Sequence, residues 1–194
     1  MKYHFYAYMS RLKNIKRWNL MRNTREENVQ EHSHSVVVIA HALCLIRNRI
    51  LGGSVNEKEV LAFAAYHDAN EVITGDLPTP IKYFNAEIKN SYKRIEEFAN
   101  QTLAGMLPEE ISREIAPYIY GDVAPEVKRI VKAADKLCAY IKCIEEKKSG
   151  NVEFERAHKT IEKNIEKLAS EMEEVKYFTE HFMPSFDMTL DELN

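Results

Sequence analysis

The chain has 194 residues, 45% hydrophobic and 29% charged, a composition that excludes disordered and collagen-like classes and permits a core without metal or disulfide staples. Lys and Arg number 27 against 30 Asp and Glu, a formal charge of −3, so there is no general attraction for a nucleic-acid polymer or an anionic membrane. Six Gly and six Pro leave few places to turn, which favours an all-α fold over a many-stranded one.

In chain order, helices are expected near 3–14, 28–50, 57–71, 84–105, 109–116, 125–148 and 152–180, with no stretch of sustained period-two alternation. The first lacks the charged-then-apolar pattern of a secretory signal. The second contains the longest apolar run, Val36 to Ile46, interrupted by His41 and well short of the roughly 20 residues that cross a bilayer. Asn56 with Glu59 caps the third helix. Pro108 with Glu109 and Glu110, and Pro125 with Glu126, each place proline and acid at a first helical turn, and Gly150 suits a stop. In the last segment Ile161, Ile165 and Leu168 recur at helical spacing among dense charges, a stripe that packs on the domain or meets a second copy. No repeat or linker divides the chain, so residues 1–194 are expected to form a single domain. Cys44, Cys138 and Cys143 are odd in number and lack C-x-x-C spacing, the pattern of buried free thiols in a reducing compartment. A cytoplasmic location is expected.

A metal site needs imidazoles and carboxylates converging from several elements. At about 100° per residue, His32 aligns with Val36, Ile39, Leu43 and Ile46, whereas His34 and His41 fall about 200° and about 180° away. His32 is therefore the inward histidine, a ligand or a satisfied core histidine. His67 and Asp68 end the apolar run Val60 to Tyr66, where a buried charge must be paired, ligated or solvated. Glu71 lies on the same side of that predicted helix. Asp135 interrupts an apolar row with Val131 and Cys138, as a helix-edge ion pair or a ligand for an inward cation. Two histidines and two aspartates on three helices would make a mixed nitrogen and oxygen site suited to hydrolysis with a first-row divalent metal.

The order His32, His67-Asp68, Asp135 on an all-α chain resembles the H…HD…D signature of the HD-domain metal-dependent phosphohydrolases. Longer strings are similar to the bacterial 5′-deoxynucleotidases of the YfbR type. These are Arg11 to Arg22, Asn28 to Ser33, Tyr66 to Asn85 with its Thr-Gly-Asp-Leu-Pro-Thr-Pro core, Lys132 to Cys143, and the tail around Pro184. The resemblance spans nearly the whole chain. It implies an HD-type helical bundle that removes the 5′-phosphate from deoxyribonucleoside 5′-monophosphates and selects against ribonucleotides. It further implies a cytoplasmic homodimer that uses a divalent transition metal, with cobalt a good activator and manganese or zinc as others. By motif, His32, His67, Asp68 and Asp135 would hold the metal. Arg17, Trp18, Asp76, Leu77, Pro78 and Thr79 would contact the substrate together with His32, His67 and Asp135, and Arg17 and Glu71 would be catalytic.

These roles also make chemical sense. The guanidinium fork of Arg17 suits the equatorial oxygens of a phosphoryl group. Glu71 suits proton delivery to a leaving alkoxide if burial and proximity to Asp68 raise its pKa. Asp76 in its Gly-Asp turn suits a 3′-hydroxyl, and the Trp18 indole suits steric rejection of a 2′-hydroxyl. Other readings stay open at this stage. His34 competes with His32, Arg17-Trp18 can be a basic turn with a core indole, and the Gly75 to Pro80 loop can be merely rigid. Two alternatives are an HD hydrolase of nucleoside triphosphates or guanosine signalling nucleotides, against which stands the lack of a Gly-rich phosphate loop or a run of Lys and Arg, and a module that binds nucleotides without turnover, against which stand Glu71 and Arg17.

Overall fold

The computed structural model describes residues 2–82 and 84–193. Its helices are α1 (Phe5–Met9), α2 (Val29–Leu45), α3 (Glu57–Tyr66), α4 (Glu71–Thr74), α5 (Thr79–Lys82), α6 (Ala86–Ala104), α7 (Glu109–Tyr120), α8 (Pro125–Lys148), α9 (Glu155–Glu171) and α10 (Glu173–His181), with a π-helical turn, Ile46–Ile50, continuing α2 and short 3₁₀ turns elsewhere between and after them. Among the described residues the extended backbone amounts to one antiparallel bridge, Lys16 to Asn28. The all-α expectation holds.

The main core gathers the apolar faces of α2, α3, α8, α9 and α10. The stripe assigned to α2 is buried throughout, with His32, Val36, Ile39, Leu43 and Ile46 all inward, while His34 is exposed. That removes His34 as the competing ligand. A second apolar cluster joins Phe5, Ala69, Leu103, Leu107 and Ile119, fastening α1, α6 and α7 around the turn after α3. Ile165 is buried, and Ile161 and Leu168 pack against the main core, so this stripe of α9 faces inward. All three cysteines are free and buried, as expected.

Four expected boundaries are corrected. The first segment is two short pieces, α1 and a 3₁₀ turn over Leu12–Asn14. The helix predicted over 57–71 stops at Tyr66 and resumes at Glu71. At this break the His67 ring takes the Ala64 carbonyl, at 2.7 Å, the acceptor a continuing helix would offer to the Asp68 N–H. The helix predicted to end near 116 runs through Pro117 to Tyr120, because the added turn buries Ile119 in the second cluster. The final long helix breaks at Met172, which adopts φ −135° and ψ 106° and drives its side chain into the main core. No Gly or Pro marks that break, since burial and not turn chemistry makes it. The Asn56 side chain caps α3 at the N–H groups of Lys58 and Glu59, but Glu59 does not reciprocate; its carboxylate accepts from the Ala124 N–H at 3.1 Å and ties α3 to the start of α8. The reciprocal capping box forms at α2, between Asn28 and Glu31.

Candidate metal centre

Three elements converge on one point. His32 comes from the first turn of α2, His67 and Asp68 from the turn that ends α3, and Asp135 from the middle of α8. His32, His67 and Asp135 each present one ligand atom, all within 4.8 Å of one another. The His32 Nε2 is 3.0 Å from Asp135 Oδ1 and 3.8 Å from Asp68 Oδ2, and the His67 Nε2 is 3.1 Å from the same Asp68 oxygen. The two imidazoles lie 5.7 Å apart between ring centres. All four residues singled out from the sequence are thus brought together, three as a tight set with Asp68 beside them.

The tautomers suit a cation. The His67 Nδ1 donates to the Ala64 carbonyl, which turns the Nε2 lone pair inward, and that buried Nε2 has no hydrogen-bond partner. A ligating histidine is held in this way by a bond at its other nitrogen. Burial disfavours charge on His67, but the Asp68 carboxylate outweighs it and holds the imidazole up at about 9, so a metal would have to displace the Nε2 proton to take that lone pair. Burial works equally against Asp68, which His67, His32 and Arg17 nonetheless hold well below the usual carboxylate range. Asp135 is lowered in the same sense, with His32 overcoming its burial. Two carboxylates kept ionised beside two inward imidazoles form a donor set that fits a divalent first-row metal.

Arg17 and Trp18 reach the site from the loop between the 3₁₀ turn and α2. The loop is closed at its neck, where the Arg17 N–H donates to the Glu27 carbonyl at 3.0 Å and the Val29 N–H to the Ile15 carbonyl at 2.9 Å. An Arg17 terminal nitrogen lies 3.8 Å from Asp68 Oδ2, so the guanidinium borders the metal set. Trp18 is the one non-glycine residue with positive φ among those described, at 54°, a conformation that costs about 1–3 kcal/mol and persists only where surroundings over-determine it. Its carbonyl accepts from Met21 N–H and Asn23 Nδ2, and its ring packs 5.3 Å from that of buried Phe154.

Glu71 starts α4, and its Oε2 is buried without a hydrogen-bond partner. Burial, with the nearby charges of Asp68 and Asp76, pushes its carboxyl far above the usual range. It therefore carries a proton near neutral pH. Asp76 follows Gly75, whose φ of 71° ends α4, and its main-chain carbonyl accepts from Asn19 Nδ2 at 3.4 Å. This contact links the Trp18 loop to the Asp76 loop. Leu77 and Pro78 are half-buried beside it, and the Pro78 carbonyl accepts from Ile81 and Lys82 N–H groups at the start of α5. The Thr79 side chain lies outside what the structure describes.

Sequence reasoning passed over Glu27. Its Oε2 accepts from the Trp18 indole N–H at 3.1 Å and lies 3.7 Å from Arg17 Nε, while its Oε1 is 3.5 Å from His32 Nδ1. Burial raises its carboxyl, but His32 and Arg17 prevail and keep it ionised. In the sequence it belongs to the charged string Arg25-Glu-Glu-Asn28, which reads as a solvated run.

A profile of the YfbR-like 5′-deoxynucleotidases matches residues 4–186. A 5′-deoxynucleotidase YfbR from Shigella flexneri serotype 5b is 52% identical, with 98% of this chain and 96% of the relative covered, and one from Escherichia coli O1:K1 shows the same identity and coverage. The chain belongs to the YfbR-like 5′-deoxynucleotidase family. Among solved structures, an HD-domain phosphohydrolase from Listeria innocua is similar to this chain in fold, with a TM-score of 0.81 at 24% identity over 94% of this chain and 88% of that one. A cyanophage S-2L HD phosphohydrolase, solved with dA and one catalytic Zn²⁺, aligns with a TM-score of 0.53 and 25% identity over 71% of this chain and 69% of that one. YfbR-like membership makes the chain a phosphoric monoester hydrolase. Among the described residues no helix is long and apolar enough to cross a membrane.

Proposed function

We propose that this chain hydrolyses deoxyribonucleoside 5′-monophosphates to deoxynucleoside and phosphate, uses one divalent transition metal, and rejects ribonucleotides. The observation that carries the reading is the tight set of His32, His67 and Asp135 with Arg17 at its border, in a chain 52% identical to enzymes named 5′-deoxynucleotidase. His32, His67, Asp68 and Asp135 are the residues that would hold the metal. When bound, the metal supplies positive charge at the phosphate and acidifies water at the site.

The remaining work falls to side chains. Arg17 offers its guanidinium to the equatorial phosphate oxygens, and Asp68 and Glu27 hold it there. Glu71, protonated in its buried place, gives its proton to the departing O5′ and thereby makes an alkoxide into an alcohol. Asp76 accepts from the 3′-hydroxyl, and Leu77, Pro78 and Thr79 form the wall against the nucleoside. Trp18, fixed in its strained conformation, occupies the space a 2′-hydroxyl would need. The dA in the cyanophage neighbour supports a deoxynucleoside beside the metal here. Residues 1–194 act as one HD domain, in a cytoplasmic homodimer, with cobalt an effective activator and manganese or zinc as alternatives.

The test is phosphate release from dAMP, AMP and dATP by metal-stripped protein reconstituted in turn with cobalt, manganese, zinc and magnesium. Metal-dependent release from dAMP with little from AMP is the expected result. Equal rates on dAMP and AMP remove the sugar selection, and activity only on dATP, with triphosphate as product, replaces the monophosphatase by a triphosphohydrolase.

A further inference from the structure

We propose that Glu27 is a positioning residue that ties sugar selection to the metal centre, holding the Trp18 indole with one carboxylate oxygen and orienting the His32 imidazole with the other. This inference rests on the proposed function, since it needs His32 as a ligand and Trp18 as the selecting group.

The two ligand histidines are oriented by different means. His67 is fixed by a main-chain carbonyl, that of Ala64, within its own segment. His32 is fully buried, yet its Nδ1 has no such carbonyl and no completed hydrogen bond. The acid facing that nitrogen is Glu27, at 3.5 Å through Oε1. A carboxylate behind a ligating imidazole sets its tautomer and raises its basicity. The other oxygen of the same carboxylate accepts the Trp18 indole N–H at 3.1 Å. An indole N–H has one bond to give, so this contact fixes the ring plane against Phe154. The backbone of Glu27 is also committed, because its carbonyl takes the Arg17 N–H at the neck of the loop. The carboxylate itself lies 3.7 Å from Arg17 Nε through Oε2, so a group that selects the sugar, a group that holds the phosphate and a group that ligates the metal meet on a single side chain. Displacing that carboxylate moves all three, whereas His67 would be spared.

The experiment compares metal-stripped wild type, Glu27→Ala and Glu27→Gln. Zn²⁺ affinity is measured by calorimetric titration, the emission of Trp18, the chain's single tryptophan, reports the indole environment, and kcat/KM is measured on dAMP and AMP. Glu27→Ala is expected to weaken Zn²⁺ binding by about 10- to 100-fold, to shift the Trp18 emission, and to lower the dAMP to AMP ratio by at least about 10-fold. Glu27→Gln keeps an oxygen for the indole N–H but loses the charge facing His32. Its sugar ratio and emission stay close to wild type while Zn²⁺ affinity falls, a split that a merely structural role would not produce. A Glu27→Ala protein with wild-type Zn²⁺ affinity and wild-type sugar ratio overturns the role of Glu27. If Glu27→Ala does not fold, Glu27→Gln decides: unchanged Zn²⁺ affinity overturns the proposal. A wild type that binds no Zn²⁺, or treats dAMP and AMP alike, overturns the proposed function itself and is told apart because it fails before any substitution.

Discussion

Helix α8 carries two charge clusters on one face, one with half-buried Asp135 at the candidate metal centre and one with buried Lys142 and Glu146 at positions two and three turns further on. They differ in how completely the protein answers them. Glu146, 1% exposed, accepts from the Thr24 N–H and hydroxyl, the Arg25 N–H, Asn151 Nδ2 and Lys142 Nζ. Lys142 also donates to the Arg25 carbonyl. Around Asp135, by contrast, His32 Nδ1, His67 Nε2, Arg17 Nε and Glu71 Oε2 are all buried without a hydrogen-bond partner. Buried polar groups are normally satisfied; His32 Nδ1 and Arg17 Nε face the Glu27 carboxylate at 3.5 and 3.7 Å, and under the proposed function His67 Nε2 and Glu71 Oε2 are the atoms a bound metal and substrate would satisfy. The first is a clasp that pins the Trp18 loop to α8. The second is where the loop's residues are to be used.

The largest effect that would break this contrast is at the centre. Asp68→Ala removes the carboxylate shared by both imidazoles and Arg17 and is expected to lower phosphate release from dAMP by about 10³-fold or more, with some loss of stability because His67 and Arg17 lose their paired carboxylate. Near-normal turnover in a metal-loaded sample would count against the metal assignment. At the clasp the effect falls on stability. Glu146→Ala leaves Lys142 buried and uncompensated, and is expected to cost about 3–5 kcal/mol of stability in urea titration. Replacing both partners, with Lys142→Met and Glu146→Leu together, is expected to recover much of that loss. A double variant no better than the single would mean that the hydrogen bonds to Thr24 and Asn151 matter more than the ion pair.

Acid tests the clasp more gently. Burial alone would raise Glu146, but the bonds from Lys142, Thr24 and Asn151 prevail and hold it down at about 2. A carboxylate depressed in the folded state stabilises fully above its unfolded value of about 4.3 and loses that contribution as pH falls toward the folded one. Wild type is therefore expected to lose stability from roughly pH 5 to pH 2 more steeply than Glu146→Gln. Parallel urea midpoints for the two proteins across that range would show that Glu146 is not the group titrating.

The same contrast separates what was legible in the sequence from what was not. His32 was readable because helical periodicity fixes which residues share the inward stripe with Val36 and Leu43. His67, Asp68 and Asp135 were readable because an acid or a His-Asp pair interrupting an apolar row needs a reason. Glu146 stands in the charged string Glu145-Glu-Lys-Lys148 and reads as solvated; Lys142 interrupts the apolar stretch Ile141 to Ile144, but the partners of the pair, Thr24 and Arg25, are remote in sequence. Glu27 was hidden for a related cause. Its meaning depends on a loop that turns back on itself through a left-handed Trp18, and no local propensity predicts an indole in that conformation. The break at Met172 was likewise set by burial in the assembled core.

Trp18→Ala gives the smallest expected effect and bears on both clusters. The clasp holds the loop and Glu27 holds the indole, so removing the ring should leave metal affinity close to wild type while the dAMP to AMP preference falls by roughly 10- to 200-fold, the range open to a small steric difference in a pocket. The strain at φ 54° stays, because it arises from the Cβ that alanine keeps, so stability should drop by the lost packing on Phe154 and the lost indole bond to Glu27. Competing kcat/KM values for dAMP and AMP decide the point. An unchanged ratio with an intact metal site would mean that the sugar is read elsewhere, with the Asp76 loop as the next place to substitute, and Trp18 would then be a packing residue of the clasp.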